Sequence, residues 1–130
     1  MKIIADTNLL VRMAVDDDPI QRRVAARIVT EAEAVIVGLH ALCEMAWELK
    51  TTYRFSKAQI VLAIENLCSV ENVIADQAAV DAGLEAMRSD FADATIAYEG
   101  RMAGGDVFIS FDKKAVAAIA KQGMKAELLG

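Results

Sequence analysis

Cysteine pairs, long apolar runs and a basic surplus are all missing from this chain. The only cysteines, Cys43 and Cys68, each lie inside a helical apolar pattern, with no C-x-x-C pair and no histidine cluster nearby. That argues against a disulfide framework or a zinc site and for two reduced, buried thiols. No hydrophobic stretch approaches the roughly 20 residues that cross a bilayer. The amino terminus runs straight into a strand signal without the form of a secretory leader. The expectation is a soluble, cytoplasmic protein with no membrane partner. One proline and seven glycines exclude a collagenous, linker-rich or disordered chain. Aromatic residues make up only 5% against 55% hydrophobic, so the core is aliphatic and alanine-rich, as suits helices packed closely on a small sheet. The net charge of −5 weighs against a nucleic-acid binder, which usually carries a basic surplus. It remains compatible with an enzyme that meets nucleic acid through bound cations and a local basic rim.

A length of 130 residues implies one domain, residues 1–130, with a sizeable core. Strand and helix signals alternate throughout. After the strand at Lys2–Ala5, a short helix is expected over Leu9–Val15. Asp18 caps a second helix with Pro19 in its first position, and Ile20, Val24 and Ile28 at i, i+4 and i+8 are its expected buried face. Ala34–Val37 reads as a strand stopped by Gly38, and a helix follows over Leu39–Thr52. Ser56-Lys57-Ala58-Gln59 has the form of a capping box, opening a helix with Ile60, Ile64 and Leu67 inward. Val73–Ala75 is a third strand, and Asp76 caps a helix with Val80, Leu84 and Met87 inward. A helix over Phe91–Ala103 stops at Gly104-Gly105. Strand Val107–Ser110, helix Lys113–Lys121 and a strand at Glu127–Leu129 close the chain. The alternation predicts an α/β fold: a small central parallel sheet of about four to five strands, flanked by helices on both faces.

Four carboxylates stand at junctions of this pattern. Asp6 and Asp112 directly follow apolar strand signals, where parallel α/β sheets place their ligands. Glu44 is mid-helix on a face with His40, Trp47, Glu48 and Thr51. Asp93 lies in Ser89-Asp90-Phe91-Ala92-Asp93-Ala94, where Asp90 or Asp93 caps the helix and the other is free to face a crevice. Each has a plainer reading taken singly: helix caps for Asp6 and Asp112, a solvated carboxylate for Glu44, a first-turn acid for Asp93. His40, at i−4 from Glu44, invites a metal-pair reading but more often caps a helix or is hydrogen-bonded. Acids gathered at the mouth of an apolar crevice repel unless a cation joins them, and a hard divalent ion, Mg²⁺ or Mn²⁺, suits oxygen donors.

The ordered set Asp6-Thr7-Asn8-Leu9-Leu10-Val11-Arg12, Leu42-Cys43-Glu44-Met45-Ala46-Trp47-Glu48-Leu49, Asp90-Phe91-Ala92-Asp93-Ala94 and Ser110-Phe111-Asp112-Lys113 resembles the PIN domain. Within that family it is most similar to VapC-type toxins of bacterial toxin–antitoxin pairs, over nearly the whole chain. Ser110 stands where the family usually has threonine, keeping the hydroxyl. Met87-Arg88-Ser89 stands where a glycine frequently precedes the acidic run. The resemblance implies a PIN-like fold, a Mg²⁺- or Mn²⁺-dependent endoribonuclease, an antitoxin partner and a homodimer. It carries the acidic quartet onto Asp6, Glu44, Asp93 and Asp112, with Asp6 and Asp93 as principal metal ligands. Glu44 and Asp112 would act through water, as base, or on a second metal. Thr7, Asn8, Asp90 and Ser110 are supporting residues, and Arg12, Arg54, Lys113 and Lys114 form the expected RNA rim. The helices Leu39–Thr52 and Ile60–Cys68 are the expected antitoxin surfaces, with Met45, Trp47 and Val61 at the edges of their core-facing stripes.

Two other classes compete. An aspartate-dependent phosphohydrolase of the haloacid-dehalogenase kind usually places a second Asp two residues after the first, where this chain has Asn8. A receiver-like domain is poorly supplied by Val37-Gly38 and Ala75-Asp76. A non-catalytic PIN-fold interaction module is opposed by the intact quartet.

Overall fold

A computed structural model describes residues 1–85 and 91–130. The expected inward position of Met87, the site residue Asp90 and the Met87-Arg88-Ser89 segment lie outside the described residues. The chain forms two compact units, Met1–Asp76 and Gln77–Gly130.

The first unit runs β1 (Lys2–Ala5), α1 (Thr7–Ala14), α2 (Pro19–Glu31), β2 (Ala34–Val37), α3 (Leu39–Thr51), α4 (Lys57–Cys68) and β3 (Val73–Ile74). Its three strands are parallel in the order β1-β2-β3, with Lys2 opposite Ala34 and Val35 opposite Val73. Val35, Leu42, Leu49 and Ile64 are wholly buried, as are Leu10 and Val11 of α1, which packs against α3 and α4. Asp18 accepts from Gln21 N at 3.0 Å with Pro19 following, and the Ser56/Gln59 capping box is formed. Both are local chemistry, and both follow the sequence.

The second unit runs α5 (Gln77–Glu85), α6 (Phe91–Met102), β4 (Phe108–Ser110), α7 (Lys113–Lys121) and β5 (Ala126–Leu128). Strands β4 and β5 are parallel, with Phe108 opposite Ala126. Gly104, at φ +100°, turns the chain out of α6, and Gly105 N closes onto Gly100 O at 2.8 Å. Gly83 lets α5 and α6 approach closely: a Cβ there would lie 2.7 Å from Phe91 Cδ2 and 2.9 Å from Thr95 Cγ2.

Four expectations need correction. The strands form a three-stranded and a two-stranded sheet, not one sheet of four to five. Each pairing joins strands linked by one or two local helices, and with only two or three residues in β3, β4 and β5 the ladders have little length to extend. Helix α1 begins at Thr7, because Asp6 supplies the cap. On α2 the sides are exchanged: Ile20, Val24 and Ile28 are 68%, 55% and 45% exposed, whereas Ala25 and Val29 are buried. The small Ala25 and Val29 side is the one that lets α2 lie close against α1. Asn72 Nδ2 donates to Val29 O and Ala32 O at 2.7 and 2.9 Å, fixing the end of the helix whatever its most hydrophobic stripe. Met45 is 1% exposed and lies in the core, so of the expected surface residues on α3 Trp47, 60% exposed, remains.

Candidate functional site

In the first unit, β1 ends at Ala5 and the backbone of Asp6 is extended, so its carboxylate turns back over the start of α1. Asp6 Oδ1 accepts from Leu9 N at 3.0 Å. Among the described residues Oδ2 makes no hydrogen bond, so one oxygen serves the helix and the other is available to a ligand. Thr7 does not orient Asp6: its hydroxyl donates to Glu44 Oε2 at 2.8 Å, across 37 residues of sequence. That bond ties α3 to the start of α1 and brings the Glu44 carboxylate beside the neighbour of Asp6. His40 Nε2 lies 2.7 Å from Glu44 Oε1, so Glu44 is held by both oxygens although its side chain is half exposed. His40 is thus a hydrogen-bonded partner of Glu44. Asn8 is exposed on the first turn of α1.

Arg12 is largely enclosed. Its guanidinium reaches Asp17 Oδ1 and the Tyr53 hydroxyl oxygen, each at 2.6 Å, and Tyr53 in turn donates to Asp17 Oδ2 at 3.3 Å. Burial alone would lower the Arg12 pKa. The hydrogen bonds to Tyr53 and Asp17, with the Asp17 charge, outweigh it and raise the pKa above the ordinary value. This triad pins the acidic turn Asp16-Asp17-Asp18 to the end of α3, a link that sequence separation hid. Arg54, next to it, is exposed and has φ +56°, a left-handed conformation that costs an L residue and favours glycine. A trough of about 390 Å³ runs along α1 and α4, lined by apolar side chains including Met13, Phe55, Leu62 and Leu67.

In the second unit, Asp112 repeats the pattern of Asp6. It follows β4 and caps α7, its Oδ1 accepting from Lys114 N at 2.9 Å and Ala115 N at 3.2 Å. Its own N–H donates to Ser110 Oγ at 3.0 Å, so the hydroxyl at that position fixes the turn that presents the acid. Oδ2 again makes no hydrogen bond among the described residues. Lys113 and Lys114 are exposed on the first turn of α7. Cations at a helix amino terminus oppose the macrodipole, so they are better suited to an incoming anion than to stabilising the helix. Asp93 is half-buried in the first turn of α6, where a carboxylate is favoured by the dipole.

These donors are carboxylate oxygens throughout, the chemistry a hard divalent ion prefers. Among the described residues, no three His, Cys, Asp or Glu side chains stand close enough together to hold a metal ion. The fit is therefore one of donor type alone. Among the described residues, no helix is long and apolar enough to cross a membrane.

No family model and no curated protein matches the chain. Among solved structures, it is similar to the sarcin–ricin-loop-cleaving toxin VapC20 of Mycobacterium tuberculosis. That similarity has 20% identity and a TM-score of 0.44, and covers 91% of this chain and 95% of that one. A likeness at that level assigns no activity to this chain.

Proposed function

We propose that this chain is a PIN-like domain spanning residues 1–130 and a Mg²⁺- or Mn²⁺-dependent endoribonuclease, the toxin of a VapC-type toxin–antitoxin pair. One observation carries the reading furthest. Asp6 and Asp112 each stand just past the end of a parallel strand, spend Oδ1 on capping the next helix and, among the described residues, leave Oδ2 uncommitted. A residue needed only as a cap requires one acceptor, and asparagine or serine supplies that as well. A full carboxylate at both strand ends adds charge aimed where such folds bind ligands.

Asp6, Glu44, Asp93 and Asp112 are the carboxylates that the PIN-like reading assigns to the ion. A divalent cation supplies, when bound, charge against the non-bridging phosphate oxygens and a lowered pKa for the attacking water. The chain's own residues position and neutralise. Thr7 and His40 hold the Glu44 carboxylate in place so that it can take a proton from water, and Ser110 fixes the turn of Asp112. Lys113, Lys114 and Arg54 meet the phosphate backbone. Arg12, with its charge met by Asp17, contributes to this rim by holding the neighbouring turn. The protein works in the cytoplasm as a homodimer. Its antitoxin lays an apolar segment along α3 and α4, where Trp47 and Leu62 are exposed.

The test is purified protein, freed of any antitoxin, on structured RNA with Mg²⁺ or Mn²⁺ and then with chelator. Wild-type protein cleaves only with metal, and Asp6→Asn keeps the fold and loses cleavage together with growth inhibition on expression. Cleavage that survives both chelator and Asp6→Asn overturns the mechanism. Metal-dependent turnover of a phosphomonoester without RNA cleavage shifts the reading to a phosphohydrolase.

A further inference from the structure

The second unit contains a trough of about 630 Å³ that shares Lys114 with the proposed RNA rim and is lined by none of the four assigned carboxylates. Helix α6 contributes Ala94, Ala97, Tyr98 and Arg101 to it, spaced i, i+3, i+4 and i+7 on one face. Helix α7 contributes Lys114, Ala117, Ala118 and Lys121 with the same spacing. Ala82 and Glu85 of α5 complete a side. The alanine methyl groups leave the space between the helices open, and the long side chains stand around it. Lys114 and Lys121 mark ends about 10 Å apart along α7 at 1.5 Å per residue. Among the described residues, three exposed cations and one carboxylate line it, in a chain whose net charge is −5. Among the described residues none of the three cations makes an ion pair.

A packing defect in a core is dry and apolar on all sides. This trough instead has an apolar floor and a rim of one dominant sign, with an aromatic ring on its wall. Those are the components of a single-strand nucleic-acid site: cations that track phosphates and a ring on which a base stacks. A partner helix would find little to grip, because among the described residues Met124 is the one large aliphatic side chain lining the trough and hot spots need large buried anchors. We infer that the α6–α7 trough binds a segment of single-stranded RNA, with phosphates on Arg101, Lys114 and Lys121 and a base against Tyr98. The inference rests on the ribonuclease reading for its choice of RNA, and it places part of the substrate's strand along these two helices.

The probe is a fluorescently labelled single-stranded oligoribonucleotide, titrated with the full chain in chelator so that no cleavage intervenes, at several salt concentrations. Arg101→Gln with Lys121→Gln, both on exposed surface, weakens binding at least ten-fold. It also makes the slope of log affinity against log salt shallower by about 1.4, since each single-strand phosphate contact contributes about 0.7. Tyr98→Leu weakens binding about five-fold or more with the salt slope unchanged, because stacking releases no counterions. Ala117→Trp, which fills the trough from an exposed position, weakens it comparably. Circular dichroism and melting of each variant show that the fold is kept. Absence of binding by the wild-type chain, or equal binding by all variants, overturns the inference. Competition by free adenosine monophosphate at the oligoribonucleotide's own affinity overturns it in favour of a nucleotide pocket, and equal competition by polyglutamate in favour of a protein groove. The two readings fail separately. Unchanged binding in the trough variants, with cleavage still abolished by Asp6→Asn, removes the trough alone; trough-dependent binding without metal-dependent cleavage removes the nuclease alone.

Discussion

Replacing Asp112 once by asparagine and once by alanine separates its capping from the metal-site role proposed for the same side chain. As a cap, Asp112 Oδ1 satisfies the N–H groups of Lys114 and Ala115, two of the donors that the nine-residue α7 leaves without intrahelical partners. Alanine abandons both to water, and loss of such a cap costs about 1 kcal/mol. Asparagine keeps the acceptor and gives up only the favourable charge at the helix amino terminus, about 0.3–1 kcal/mol. With a urea m-value of about 1–3 kcal/mol/M, alanine shifts the unfolding midpoint down by about 0.3–1 M and asparagine by less than alanine. Activity follows the opposite logic, because both replacements remove the carboxylate charge. On the proposed nuclease reading, metal-dependent RNA cleavage falls about 100-fold or more in each, the scale expected for loss of a positioned acid–base group. Paired urea unfolding and cleavage assays, run on the same preparations, give both readouts. If the asparagine variant cleaves normally and the alanine variant loses activity only as it loses stability, Asp112 is a cap and nothing more, and its place in the quartet is refuted.

Gly83→Ala carries two opposed effects: alanine gains about 0.5–1 kcal/mol of helix stability, and the new methyl group strikes the Phe91 ring and Thr95, where overpacking costs about 1–3 kcal/mol. Phe91 is buried and Thr95 is held by Ala92 O at 2.9 Å, so neither yields easily, and a net loss of about 1–2 kcal/mol is expected in chemical denaturation. A stabilised variant contradicts the close approach of α5 and α6. Arg54→Gly relieves the left-handed strain at φ +56° and raises stability by about 0.5–1 kcal/mol in the same assay. If Arg54 lies on the RNA path, the same variant cleaves less efficiently at physiological salt while its salt dependence becomes shallower. Unchanged cleavage leaves Arg54 with no substrate role.

Short-range chemistry was legible in the sequence. The capping box at Ser56 and Gln59, the Asp18-Pro19 helix start, the glycine stop after α6 and the alternation of parallel strands with helices are settled by residues within a few positions of one another, and the sequence displays those spacings directly. The acids at strand ends were visible for the same reason, because a polar residue directly after an apolar run marks where burial stops. What depends on distant partners was not visible. Thr7 directly follows Asp6 in the chain, yet its hydroxyl goes to Glu44, and Arg12 reads as a rim cation until Tyr53 and Asp17 close around it. The buried side of α2 is likewise Ala25 and Val29 rather than the Ile20-Val24-Ile28 stripe, and the end of the helix is held by Asn72, 40 residues further on from Ala32. The trough between α6 and α7 was written as two matching i, i+3, i+4, i+7 patterns, but small and charged residues alternate on many solvated helices. Sequence determined which segments coil, extend and cap, because those preferences are local. Only the tertiary structure decided which faces meet, because a side chain's partner is chosen by the whole packing and not by its neighbours in the chain.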